Sequence, residues 1–143
     1  ALFALNASTG AEIWSVTYVP REKTAVKMSR GMINNGFVQV GEGVVVVDGV
    51  DAVYGIDAAD GSQLWTFQPD GWLWNFKADF ALDGTFVFQT WEGEAYRCRV
   101  RDGSLVWKAG GEHGTWTDGN IALGPNNIVY AVNTMWPGTG PQP

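Results

Sequence analysis

Short runs rich in apolar and β-branched residues recur along this chain, separated by turns that carry glycine. LeuPheAlaLeu (2–5) precedes one such turn and GluIleTrpSerVal (12–16) follows it, and ValTyrGlyIle (53–56) and GlnLeuTrpThrPhe (63–67) repeat the arrangement. Alternation with a period of two over segments this short predicts β-strands. A second kind of hairpin occurs at 37–49, 80–90 and 121–132, each reading as strand, Gly-containing turn and strand. Two hairpins per unit predict four antiparallel strands. No stretch keeps apolar residues at i, i+3 and i+4 over three turns, so the chain is expected to be all-β with almost no helix.

The units share a phrase. Aligned on Trp14, Trp65 and Trp107, each has a Gly four residues earlier (Gly10, Gly61, Gly103) and a Thr or Asp five earlier (Thr9, Asp60, Asp102). The first two also carry Asn6 or Asp57 eight residues earlier. Glycine can take positive φ where a hairpin reverses, and Asn, Asp and Thr oxygens can accept from turn amides. A unit recurring every 40 to 50 residues or so means a propeller, a solenoid or an array.

The frame Ala-x-Asp-x-x-Thr-Gly-x-x-x-Trp resembles the tryptophan-docking motif of the pyrroloquinoline-quinone (PQQ) type β-propeller repeat. Ala4, Asn6, Thr9, Gly10 and Trp14 match it with Asn for Asp. Asp57, Gly61 and Trp65 match with Gly55 for Ala and Asp60 for Thr, and Gly103 and Trp107 match with Arg99 in the Asp place. The resemblance implies four-stranded blades around a central axis, with Trp14, Trp65 and Trp107 buried between neighbouring blades, and enzymes of the family have rings of eight. The chain holds about three blades' worth of residues, whereas closed propellers have about four to eight. The expected layout is a half blade at 1–18, an inter-blade insertion at 19–35, blades at 36–68 and 74–109, a half blade at 119–133 and a loop or tail at 137–143. That order, with no initiating Met, reads as a piece of a longer polypeptide.

Charge narrows the partners. A net charge of −6 and a pI near 4.5 argue against nucleic acid. No apolar run approaches the roughly 18 residues that would span a bilayer as a helix. Arg21, Lys23, Lys27 and Arg30 crowd into the 19–35 insertion, as a solvated loop or as a docking loop for an acidic partner. Arg97, Arg99 and Arg101 are expected on one strand face, paired with Glu92, Glu94 or Asp102. Cys98 falls on the opposite face as a buried thiol, and as the only cysteine it can form no internal disulfide. His113 is single and in a loop, Ser104 sits in a turn, and neither belongs to a triad, a phosphate loop or a metal motif.

Two functional readings follow from the resemblance. In the quinoprotein dehydrogenases the cofactor lies on the propeller axis, stacked on a Trp, capped by a vicinal disulfide and bound to calcium. Residues 114–133 resemble the cofactor-proximal blade of those enzymes. Trp116 stands at the stacking position, with Ala122 and Tyr130 also fitting. Asn133 falls about two residues before the metal-binding Asn, Met135 takes that place, and the chain has no adjacent Cys pair. Only this alternative reading assigns a cofactor site, with PQQ and calcium at Trp116 and Asn133; otherwise no catalytic, cofactor or metal residue is expected. The preferred reading is a noncatalytic PQQ-like propeller, the use made of this repeat by a bacterial outer-membrane assembly lipoprotein. Its partners would be other proteins or the remaining blades of its own ring. Trp72, Trp74 and Trp136, together with Arg21, Lys23, Lys27 and Arg30, then form the possible interaction surface, because they lie outside the repeat frame.

Overall fold

The computed structural model describes residues 1–16, 38–49, 51–111, 115–118 and 120–135. The insertion at 19–35 with its four cationic residues, His113, Trp136 and the tail at 137–143 lie outside the described residues. Within them the chain is nearly all β, built as four-stranded antiparallel blades flanked by two-stranded ones.

Strands β1 (Leu2–Leu5) and β2 (Glu12–Val16) form the first hairpin. The next blade runs β3 (Gln39–Gly41), β4 (Val44–Asp48), β5 (Val53–Asp57) and β6 (Gln63–Phe67), paired in chain order. The following one repeats that order with β7 (Ala78–Phe80), β8 (Thr85–Gln89), β9 (Glu94–Arg99) and β10 (Leu105–Gly110). Last come β11 (Thr115–Trp116), β12 (Ile121–Leu123), β13 (Val129–Ala131) and β14 (Thr134–Met135). β12 pairs with β13, and β11 pairs with β14, a ladder that the hydrophobic pattern does not announce. One short 3₁₀ turn, Pro125–Asn127, joins β12 to β13.

The run of four valines in β4 shows how the blades stack. Val44 and Val46 enter one core with Trp65, Phe86 and Phe88, while Val45 and Val47 enter another with Leu2, Ala52 and Tyr54. A strand covered on both faces has no polar side to show, which is why its alternation vanishes from the sequence. The larger core is aromatic: Phe88 and Tyr96 stack with centroids 5.1 Å apart and planes 7° from parallel, and Phe67 meets each of them edge-on.

The other face of the β7–β10 blade, towards β12 and β13, is joined by polar contacts. Arg97, 6 % exposed, donates to Thr85 Oγ1 at 2.8 Å, Asp83 Oδ2 at 3.0 Å and Asn127 Oδ1 at 2.9 Å. The backbone N–H of Leu123 donates to Asp79 Oδ2, and Lys77 Nζ to Asn120 Oδ1. The expected row of three arginines therefore does not exist. Arg97 is buried between blades on Asp83, Arg99 is exposed and bonds Ser104 Oγ at 3.1 Å, and Arg101 lies beyond the end of β9. The strand stops at Arg99 because the docking turn begins there, so the i, i+2, i+4 rule no longer applies to residue 101.

Candidate functional site: docking joints and a tryptophan cleft

Each docking turn is built by its own side chains. Asn6 Oδ1 accepts from the amides of Ser8 and Thr9, and Asp57 Oδ1 accepts from the amide of Ala59. Asp60 and Asp102 accept from the amides of Ser62 and Ser104; the Ser62 amide and then its hydroxyl hold the Asp60 carboxyl below the usual carboxylate range, and the Ser104 hydroxyl and then its amide do so for Asp102. Gly61 and Gly103 adopt φ of +78° and +68° in these turns.

Into two of the turns a tryptophan of the preceding blade is inserted. The Trp14 indole N–H donates to the carbonyl of Ala58 at 3.1 Å, and a Cβ placed on Gly61 would lie 2.8 Å from its ring. The Trp65 indole N–H donates to the carbonyl of Val100 at 2.9 Å, and a Cβ on Gly103 would lie 2.5 Å from its ring. The joint is the same although Arg99 replaces the acidic residue, because the accepting carbonyl belongs to the next residue. Trp65 also covers Gly55, its partner across the β5–β6 pair, where a Cβ would overlap the indole. That close approach accounts for Gly in the Ala place. Burial differs among the three: Trp65 is buried, but Trp14 and Trp107 are half-buried rather than enclosed. No docking turn for Trp107 occurs among the described residues, and a Cβ on Gly10 would meet nothing within 4 Å.

At the opposite end of the strands from these turns lies a different feature. The chain from β6 to β7, the β8–β9 turn and the chain after β10 all emerge at one end of the blade, since successive strands are antiparallel. Trp72 and Trp74 are on the first, Trp91 on the second, Trp116 and Asp118 on the third, and together they line a cleft of about 370 Å³. Leu73, between the first two, is fully buried and Phe76 nearly so, which turns Trp72 and Trp74 outward. Trp72 stacks on Trp91 with centroids 6.3 Å apart and planes 20° from parallel.

Main-chain hydrogen bonds lock the three segments side by side. The amide of Trp91 donates to the carbonyl of Trp72 at 2.7 Å, and the amide of Thr117 donates to the carbonyl of Trp91 at 2.8 Å. Glu92 Oε2 receives the amide of Trp72 at 2.8 Å, a contact possible only because residue 71 is Gly: a Cβ there would lie 2.1 Å from that oxygen. Beneath, Lys108 bridges Asp70 and Glu94 at 2.6 Å each, and the Tyr96 hydroxyl donates to Glu94 Oε2 while accepting from the Asp70 amide. Burial first, then the bond to Glu94, pushes the Tyr96 pKa up to about 12, and the two carboxylates raise that of Lys108.

Trp72, Trp74 and Trp116 are thus brought together, whereas Asn133, beside the Thr134 that pairs with Trp116, is not in the cleft lining. Its side chain bonds Gln89 Nε2 and the carbonyl of Gly93, tying the last strands to the β8–β9 turn. Among the described residues no group of three or more His, Cys, Asp or Glu is placed to hold a metal. Cys98 is fully buried, and burial pushes its thiol up to about 12. Trp91 and Asp118 complete the cleft without belonging to any motif; the signal for them was their position in connections that leave the same end of the blade. No helix among the described residues is long and apolar enough to cross a membrane.

Residues 1–134 match the family described as outer membrane protein assembly factor BamB, and the chain belongs to that family. Among solved structures it is similar to BamB from Moraxella catarrhalis, with a TM-score of 0.69 and 20 % sequence identity. The match covers 92 % of this chain and 36 % of that one, so the chain spans about a third of the relative's length. No curated protein sequence matches it.

Proposed function

We propose that this member of the BamB family contributes to a noncatalytic propeller that acts as a scaffold or protein-interaction subunit. Its contact surface is the cleft of Trp72, Trp74, Trp91 and Trp116. The observation that carries this reading is the combination of exposure and rigidity. Trp72, Trp74 and Trp91 are 41 %, 51 % and 37 % exposed, yet a main-chain ladder and a buried Leu73 hold them in place. Tryptophan is enriched among residues that dominate binding energy, and a site held in position before binding loses less entropy on association. Family membership supports the same direction, since the family is described as an assembly factor.

The test is site-specific photo-crosslinking in the cells that make the protein. A benzophenone side chain at position 74 should trap one defined protein partner, and one at Leu82, on the β7–β8 turn at the other end, should not. Equal yields from both positions would remove the cleft as the contact surface.

A degenerate PQQ-dependent dehydrogenase is the second reading, favoured by the presence of Trp116 in the aromatic cleft. Indole faces suit a planar quinone, which would supply the hydride acceptor when bound. Under the scaffold reading, PQQ with calcium leaves the tryptophan fluorescence and the melting temperature unchanged. A ligand at a hundred times its dissociation constant would stabilise by about 2.7 kcal/mol. Saturable quenching that disappears in Trp116→Ala would replace the scaffold by the oxidoreductase.

A further inference from the structure

The cleft has a chemical preference, and we infer that it takes the cationic side chain of a partner protein, an arginine laid against the indoles with its guanidinium on Asp118. The inference rests on the proposed role of the cleft in protein contact. Four of the five lining residues are indoles, so the cleft surface is almost wholly apolar, and the fifth, Asp118, is exposed at its rim. An indole face carries negative electrostatic potential and is the best aromatic platform for a cation, while a nearby carboxylate completes the charge pairing. A guanidinium is planar, weakly hydrated and suited both to stacking on a ring and to two-pronged contact with a carboxylate.

Size and surroundings agree. At about 370 Å³ the cleft is at the small end of ligand pockets, suited to one or two extended side chains. The neighbouring cation does not compete: Lys108 is held between Asp70 and Glu94 beneath the loop. Asp70, Glu92 and Asp118 outnumber Lys77 among the described residues of these connections, and the chain as a whole carries −6. A positively charged segment is therefore drawn to this end before any contact forms.

The experiment titrates the natural full-length protein with argininamide and, separately, with citrullinamide, which has the same shape without the charge. Binding is followed by the indole N–H resonances and by tryptophan fluorescence. Argininamide is expected to shift the resonances of Trp72, Trp74 and Trp116 saturably, and citrullinamide to bind at least tenfold more weakly. Asp118→Asn should weaken argininamide about tenfold, and Trp74→Ala should abolish the shifts at Trp72, with the melting temperature of both variants unchanged. Equal binding of the two amides would overturn the cation assignment while leaving crosslinking at position 74 intact. Loss of that crosslink, with argininamide still bound, would instead sink the protein-contact reading. If Trp74→Ala and Asp118→Asn both bind argininamide as wild type does, the ligand is elsewhere and the inference is wrong.

Discussion

The indole of Trp65 lies where the side chain of residue 103 would otherwise be. A Cβ on Gly103 would come within 2.5 Å of the ring, which is held there by its N–H bond to Val100. Gly103 is thus required twice, by a backbone φ of +68° and by the neighbouring blade. Gly43 provides the control, with φ of +76° and nothing within 4 Å of a built Cβ. Gly43→Ala should cost about 1–2 kcal/mol, the backbone penalty alone. Gly103→Ala should cost a further 1–3 kcal/mol or so because the indole must move. Denaturant unfolding of the two variants measures the difference, and equal losses would mean that the ring does not dock on the glycine.

The same joint ranks the tryptophans. Trp65→Ala is expected to lose about 3–5 kcal/mol, and Trp65→Phe about 1–3 kcal/mol, since the phenyl ring leaves the Val100 carbonyl without its donor. Trp14→Ala should cost less than Trp65→Ala, because Trp14 is half-buried. Unfolding free energies in which Trp14 outranks Trp65 would contradict the packing described.

Asp48 sets a pH dependence. It is 2 % exposed at the end of β4, and among the described residues neither carboxylate oxygen has a side-chain partner, so burial, opposed in part by its own backbone N–H, pushes its pKa up to about 7 from 3.8. The folded state thus holds the proton more tightly than the unfolded chain does. Stability from the neutral form is complete below about pH 4, falls as the pH rises from there towards 7, and is constant above. Asp48→Asn removes the titration, so the variant should gain about 1–3 kcal/mol on wild type between pH 4.5 and 8. Parallel stability curves over that interval would show that Asp48 is ionised and satisfied at neutral pH.

Cys98 should be silent in the native protein. It is fully buried in the aromatic core and its thiol is pushed up to about 12, so an aromatic disulfide reagent at pH 8 should release no chromophore until denaturant is added. One thiol equivalent should then react. Rapid reaction without denaturant would require that β9 opens on the time scale of the assay.

What the amino-acid order determined is local and periodic. Glycines with positive φ, Asx side chains that bond the amides just ahead of them, and alternating apolar runs fix where hairpins form. Their recurrence in phase with Trp14, Trp65 and Trp107 made the repeat legible, because each cue acts within a few residues. The docking frame was legible at Trp65 for the same reason. What only the tertiary structure decided depends on segments far apart in the chain. Trp72 and Trp91 belong to two different connections and Trp116 to β11, and they become neighbours only when antiparallel strands return these segments to one end of a blade. Arg97 looked like the member of a charged row, but its partners Asp83 and Asn127 come from another hairpin and another blade. Asn133 likewise was placed by Gln89, 44 residues away, because a side-chain amide bonds to whatever the stacking of blades sets beside it.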